Sequence, residues 1–442
     1  MTATIRDFTS SLHLRQADPT EIRPAQEGLL RRHLAQAIKA PFYRNRFAGL
    51  GLDPERFNLA DLATLPLTSR HDLEADPDGF LAEPPERQVD LALTSGSTGN
   101  PILVPYTAND LDRLAYNEQL NFWGAGLRAD DRVLLCVTLD RCFIAGLAYY
   151  QGLVKLGATV IRSGPGQPAR QWELLERLKP TCLIGVPSFL LKMANWGAEQ
   201  GLSPADSGIR TMVTIGEPVR KGDTTLTPLG RELQEAWGNA RIVNNHGATE
   251  METAFSECTA GCGGHVHPEL MLAEIIDDHG QVLPPGRPGE LVVTPLGVEG
   301  LPLVRFRTGD IARLHDEPCA CGWRTPRLGA VEGRLAQRLK VSGTTLYPEM
   351  VFQLLQELPE VQGSYLEVRS SYDLSDEINV VVGLHDPANH DTTARIAELL
   401  QARLRVRPRV TAHDPLRVQA DMEQGGGRKL KRFFDLRGEE KK

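Results

Sequence analysis

The sequence predicts an α/β protein: a large N-terminal domain with doubly wound sheets and a small strand region, followed by a small α+β C-terminal domain. Three observations carry this. Short apolar runs alternate with helical segments from about residue 90 to 300, the pattern of a parallel sheet covered by helices. A proline- and glycine-rich stretch, VLPPGRPGELVVTPLGVEGLPL, then interrupts the alternation with turns joining short antiparallel strands. Beyond about residue 335 the alternation restarts on a smaller scale. At 442 residues the chain is long for one hydrophobic core, so two domains are expected, 1–335 and 336–442.

Residues 1 to about 90 read as helices with loops. EGLLRRHLAQAIKAPFYRNRF has apolar positions at helical spacing and breaks at Pro41. The strands that follow are RVLLCVT, GATVIR, TCLIGVP, RTMVTIG, RIVNNHG, AEIID and GELVVTP. In the last hundred residues YPEMVFQLLQEL is amphipathic and TTARIAELLQARL is helical, while GSYLEVR, INVVVGL and PRVTAHD read as strands. The polar stretch GGGRKLKRFF closes the pattern.

The net charge of −8 and the lack of a long basic block before the last fifteen or so residues argue against a nucleic-acid-binding surface, while leaving room for a local cationic pocket for a phosphorylated ligand. No run reaches the roughly twenty apolar residues of a membrane span, and MTATIRDFTSSLHLRQ has no secretory apolar stretch. Seven cysteines in a chain this long do not form a disulfide framework, so a reducing cytoplasm is the expected setting.

The most informative stretch is LALTSGSTGNP. Thr94, Ser95, Ser97 and Thr98 supply hydroxyls, and Gly96 and Gly99 let backbone N–H groups approach a ligand closely. Those are the requirements of a polyphosphate, although the P-loop consensus is absent and a plain Ser/Gly turn would read the same. Farther on, Cys258 with Cys262 and Cys319 with Cys321 form two close pairs, and His265 and His267 follow the first. Such pairs suit a tetrahedral Zn²⁺ with no open position, a structural site; four ordinary reduced cysteines are the alternative. Cys136 and Cys182 lie in apolar strands and read as core.

Taken in order, these stretches resemble the adenylate-forming superfamily of acyl-CoA synthetases and peptide-synthetase adenylation domains. APFYRNRF, LATLPLTSRHDL, RCFIAGLAYYQGLVKLGATVI and CLIGVPSFLLK point within it to the phenylacetate-CoA ligase branch. The resemblance implies activation of a carboxylic acid by ATP to an acyl-adenylate, then transfer to a thiol, with CoA the expected acceptor. It implies that the Thr94–Gly99 loop holds phosphates, that Thr249 of NNHGATE touches phosphate, and that Glu250 helps hold Mg²⁺, for which a hard carboxylate oxygen is suited. Asn244, His246 and Gly247 would meet adenine, with Gly216, Glu217 and Pro218 lining its pocket. Asp310 of RTGD would accept the ribose hydroxyls, which an ionised carboxylate can do, and Arg334 of EGR would lie nearby. Lys429 would be the catalytic lysine, a point cation for charge building at the α-phosphate. Phe143, Ala145, Gly146, Ile215 and Ala248 would line a pocket for an aromatic acid. The paired cysteines recur in that branch, and a homodimer is in keeping with it.

Three positions depart from the branch: Asn100 stands where lysine usually follows the loop, His246 where tyrosine is usual, and Gln337 where the domain boundary usually has aspartate. An amine or a carrier protein as acceptor, or a nucleotide-binding homologue without turnover, would leave many of the same residues in place.

Overall fold

The computed structural model describes residues 7–94, 101–341, 344–370, 376–423 and 430–437. The chain divides into two units, Met1–Val331 and Glu332–Lys442. The boundary thus precedes the expected one at 335/336 and carries Arg334 into the smaller unit. The reason is local: a Cβ on Gly333 would lie 2.3 Å from Cγ of Tyr347, so this segment packs directly on a residue of the second unit.

In the large unit, β1 (Gln88–Leu93) and β2 (Leu103–Thr107) form an antiparallel hairpin with Leu93 opposite Leu103. Next come β3 (Arg132–Leu135), β4 (Thr159–Arg162), β5 (Cys182–Gly185), β6 (Thr211–Thr214) and β7 (Arg241–Ala248). These are the first five of the seven runs expected in the parallel alternation, and their ladders are parallel; the last two, AEIID and GELVVTP, pair antiparallel instead. After β7 the chain turns back through β8 (Thr253–Glu257) and β9 (Gly264–His265), both antiparallel. AEIID and GELVVTP then pair as β10 (Met271–Ile276) and β11 (Gly289–Pro295), in an antiparallel meander completed by β12 (Phe306–Ala312). Finally β13 (Leu314–His315) and β14 (Arg327–Leu328) return to a nine-stranded sheet of order β13-β14-β9-β8-β7-β6-β5-β3-β4.

The inner parallel strands β3, β5 and β6 are buried on both faces almost throughout, as continuous apolar runs require, whereas the edge strand β4 is half-exposed. Leu134, Leu183, Met212 and Ile242 pack against Trp172, Leu190 and Leu233 on one face, while Val133, Leu135, Ile184 and Val243 meet Phe122, Tyr149 and Leu153 on the other. The side-chain period of two sorts neighbouring residues to opposite faces. The N-terminal helices close a third core with the hairpin and the meander, through Leu30, Leu34, Tyr43, Val104, Leu291 and Phe306.

The helix Ala108–Gly124, capped by a Thr107–Asp110 capping box, buries polar side chains that no amphipathic pattern announces. Arg113 donates to the carbonyls of Glu252, Leu270 and Leu296 and to the Thr253 hydroxyl. Glu118 accepts from the amides of Asn121 and Asn245, and burial raises its pKa from 4.5 to about 7. The sign follows directly. Between 4.5 and about 7 the folded chain keeps a proton that the unfolded chain has released, so stability falls as pH rises through that window. Glu118→Gln, neutral at every pH, is expected to stabilise the protein at pH 8 by about 3 kcal/mol and by little near pH 4.5. Melting curves of the two proteins across that range check it.

At the N-terminal helix Phe8–Gln16, Arg15 is fully buried. Its Nη2 lies 2.5 Å from Glu269 and 3.0 Å from His267 Nδ1, and Tyr116 donates to the same Glu269 oxygen. Burial holds the His267 pKa well below its usual value. The ring is therefore neutral, with Nδ1 accepting from Arg15 and Nε2 donating to Asn121.

The small unit has a four-stranded sheet in the spatial order Arg409–His413, Asp376–Gly383, Ser364–Ser370, Phe433–Asp435. The central pair is antiparallel and both outer pairings are parallel. Helices Pro348–Leu355 and His390–Leu404 cover one face with Val351, Phe352, Ile396 and Leu400 on Leu366, Val368, Val380 and Val382. This is the α+β domain that the sequence predicts. Among the described residues no helix is long and apolar enough to cross a membrane.

Candidate active site

In open α/β sheets, ligands bind outside the carboxyl ends of the strands, where neighbouring connections diverge. The order β7-β6-β5-β3-β4 puts that divergence between β3 and β5, since β3 connects to β4 on one side and β5 to β6 on the other. Most of the sequence-derived candidates in the large unit lie at these carboxyl ends. Phe143, Ala145 and Gly146 begin the connection after β3, Ile215 to Pro218 follow β6, and Asn244 to Glu250 run off the end of β7.

Thr94 is buried just past the end of β1, where two hydrogen bonds tie it to Ile102. Its N–H donates to the Ile102 carbonyl at 3.0 Å, and its hydroxyl accepts from the Ile102 N–H at 2.9 Å. Ser95, Gly96, Ser97, Thr98, Gly99 and Asn100 lie outside the described residues. So does Lys429.

Gly216 has a φ of 80°, a turn that a residue with a Cβ disfavours. Glu217 accepts from both the backbone N–H and the hydroxyl of Ser188, each at 2.9 Å, tying the segment after β6 to the helix after β5. Gly216, Gly247 and Ala248 are exposed, while Ile215 is buried beneath them. Gly146 is not an open floor: a Cβ there would sit 1.9 Å from the Thr138 carbonyl oxygen. Its smallness serves the packing of helix on loop, not the admission of a flat ring.

The Thr249–Met251 turn presents Thr249 and Glu250. Tyr106 donates to the Thr249 carbonyl at 3.3 Å. Glu250, 8% exposed, accepts from Arg70 Nη1 at 2.9 Å, and Arg70 Nε is equally close to Glu74. Asp310 lies on β12, preceded by Gly309 with a φ of 76°. Arg307 of the same motif is engaged by Glu290 through Nε and Nη2. His246 Nε2 stands 3.2 Å from Asp310 Oδ2, within ion-pair reach but out of hydrogen-bond alignment, and among the described residues this buried polar atom has no hydrogen-bond partner. Such an atom is what a ligand-binding pocket leaves for its ligand. The adenine and ribose candidates therefore meet.

Around the cysteines, the ligand atoms of Cys258, His265, Cys319 and Cys321 all lie within 4.8 Å of one another. The sequence singled out four cysteines with His265 as alternate; the structure brings His265 into the quartet. Cys262 Sγ lies 3.5 Å from Cys319 Sγ, the same separation as Cys258 from Cys319 and as Cys321 from His265 Nε2. Zinc–sulfur bonds of about 2.3 Å in a tetrahedron give ligand–ligand edges of about 3.8 Å, close to these separations. His265 Nδ1 is bonded to the Thr325 hydroxyl at 2.8 Å, which leaves Nε2 facing the sulfurs, the second-sphere arrangement of metal-bound histidines. Three thiols and an imidazole fit Zn²⁺ in number, chemistry and spacing.

Arg70, Tyr106, Arg113 and Glu257 were not singled out by the sequence. Arg70 had one cue, its place in a Ser69–Asp72 capping box, but that announces a helix start and not a partner for Glu250.

Strand-end candidates gathered beside Glu250 and Asp310 are in keeping with the adenylate-forming class that the sequence resembles. Residues 58–298 match the AMP-binding enzyme family, and residues 343–437 match the AMP-binding enzyme C-terminal domain; the chain belongs to this family. Within it the chain falls in the phenylacetate-coenzyme A ligase branch. It is 31% identical to that ligase of Thermus thermophilus, over 94% of this chain and 97% of the relative. It is 31% identical to the enzyme of Aromatoleum evansii, over 85% and 84%. In fold it matches 2-hydroxyisobutyryl-CoA ligase in complex with 2-HIB-AMP, with a TM-score of 0.83 at 21% identity, over 98% of this chain and 93% of that one.

Proposed function

We propose that this protein is an AMP-forming acid–CoA ligase acting on an aromatic carboxylic acid. The observation that supports this most is the convergence of Asn244, His246, Thr249, Glu250 and Asp310 at the carboxyl ends of the parallel strands. The acid enters between the Phe143 segment and the Ile215–Gly216 turn, with Ala145 and Ala248 beside it. Asp310 orients the ribose, His246 and Gly247 face the adenine with Gly216 to Pro218, and Thr249 with the Thr94–Gly99 loop holds the phosphates. Positioning the carboxylate in line with the α-phosphorus is most of the catalysis such a site supplies. Lys429 would neutralise the charge that develops there, and the resemblance assigns Arg334 to the ribose or phosphate.

Mg²⁺, held in part by Glu250, would neutralise phosphate charge. Zn²⁺ on Cys258, Cys319, Cys321 and His265, with Cys262 beside them, would pin the β8–β9 turn to the segment before β14. CoA then displaces AMP from the acyl-adenylate. The enzyme works in the cytoplasm, as a homodimer by analogy with its branch.

Pyrophosphate release with Mg·ATP across a panel of aromatic and aliphatic acids, with and without CoA, tests this. Release that requires an aromatic acid and accelerates with CoA is expected. Release indifferent to CoA would point to an amine or carrier-protein acceptor, and ATP binding without release on any acid to a homologue without turnover. Lys429→Ala is expected to lower release at least 100-fold with ATP affinity unchanged, because such a cation acts on the transition state; unaltered turnover would remove Lys429 from the site.

A further inference from the structure

Glu257 ends β8, one residue before Cys258, and is 2% exposed. Its carboxylate gathers three donors from three segments. The Asn244 N–H donates to Oε2 at 2.9 Å, the Gly263 N–H donates to Oε1 at 3.2 Å, and Arg220 Nε lies 2.7 Å from Oε1. Asn244 belongs to the nucleotide strand β7, Gly263 follows the Cys258–Cys262 loop, and Arg220 follows the Gly216–Pro218 turn. Arg220 also donates to the Thr224 and Ile242 carbonyls. A Cβ on Gly261 would lie 2.4 Å from Arg220 Nη2, so the cysteine loop rests on the guanidinium.

The sheet adds a second link. Asn245, Ser256 and His265 are successive partners across β7, β8 and β9. The imidazole at the cysteine cluster and the strand at the nucleotide pocket thus share one row of the ladder. A buried carboxylate satisfied by three donors has little freedom, because moving one segment strips hydrogen bonds from the others.

We infer that Glu257 is a positioning residue that couples the cysteine–histidine site to the nucleotide pocket, so that metal on one side tightens nucleotide on the other. The inference rests on the zinc and nucleotide readings above. Coupling between two binding sites is reciprocal: whatever factor zinc lends to nucleotide affinity, nucleotide lends to zinc affinity. For a link this short a factor of about 5–20 is expected.

The test is zinc affinity of the full chain, by competition with a chromogenic chelator, with and without saturating AMP, alongside AMP affinity of zinc-loaded and zinc-stripped protein by calorimetry. Both ratios are expected to agree at about 5–20. Glu257→Gln, of equal size, is expected to bind zinc still while the ratio falls at least about twofold toward 1, the ladder row remaining. Should that variant not fold, Arg220→Lys keeps a cation at Glu257, loses the carbonyl contacts, and is expected to lower the ratio part way. Zinc affinity indifferent to AMP overturns the coupling, and a full ratio in Glu257→Gln takes Glu257 out of it. Protein that binds AMP but no zinc fails at the metal reading, and protein that binds zinc but no AMP fails at the nucleotide reading; either also ends the inference.

Discussion

Glu250→Gln is expected to slow pyrophosphate release by about 100- to 1,000-fold, the range for losing one electrostatic contact to a transferring group. Glutamine keeps the length of the side chain and an oxygen for Arg70 Nη1, which donates to Glu250 at 2.9 Å. It removes the negative charge proposed to share Mg²⁺. Because Arg70 also holds Glu74, the local structure should survive, and melting temperature should move little. The loss should shrink as Mg²⁺ is raised, since a weakened metal site is refilled by mass action. Initial rates against total Mg²⁺ at fixed ATP, for both proteins, are the check. A variant that turns over normally would take Glu250 out of the proposed metal-binding role.

The largest expected effect on stability is at Arg15. Arg15→Met should destabilise the large unit by about 3–5 kcal/mol, the usual result of leaving one member of a buried ion pair uncompensated. Among the described residues, Glu269, 4% exposed, would keep only the Tyr116 hydroxyl. The melting midpoint should fall by on the order of 5–10 °C. Glu269→Gln introduced together with Arg15→Met should cost less than the two single changes summed, because the second removes the charge that the first strands. Strict additivity in calorimetry would contradict the pairing.

The parallel strands were legible because their residues are apolar on both faces, and RVLLCVT or TCLIGVP can hardly be anything else. The candidate site was nameable where a motif carries one residue type for one job: the glycine of IGEP, Gly216, whose φ is 80°, and the acids Glu250 and Asp310, the latter set 3.2 Å from His246. Gly146 shows the limit. Its small size reads equally as room for a substrate or as packing, and only the Thr138 carbonyl beneath it decides for packing. The helix Ala108–Gly124 was illegible for another reason. Arg113, Asn117 and Glu118 are polar residues that a pattern argument sends to solvent, yet their partners, such as Leu296 and Ala254, lie more than a hundred residues away. Arg70 and Glu257 belong to the same class, since their meaning depends on partners that no local spacing specifies. His265 lay between the two cases: near enough in sequence to be named, but ranked behind Cys262 until the fold placed it within 4.8 Å of three cysteines.

Arg15 and Glu269 stand 254 residues apart in the chain. Ribosomes work from the N-terminus at about 5–20 residues per second, so Arg15 leaves the ribosome roughly 10–50 s before its partner exists. During that interval the helix Phe8–Gln16 has no site of its own to occupy. The large unit can reach its final packing only after β9 and the residues around Glu269 have been made, which exposes apolar surface to chaperones or to aggregation in the meantime. Slow translation or scarce chaperone should therefore depress the yield of folded protein more than its stability once folded would suggest.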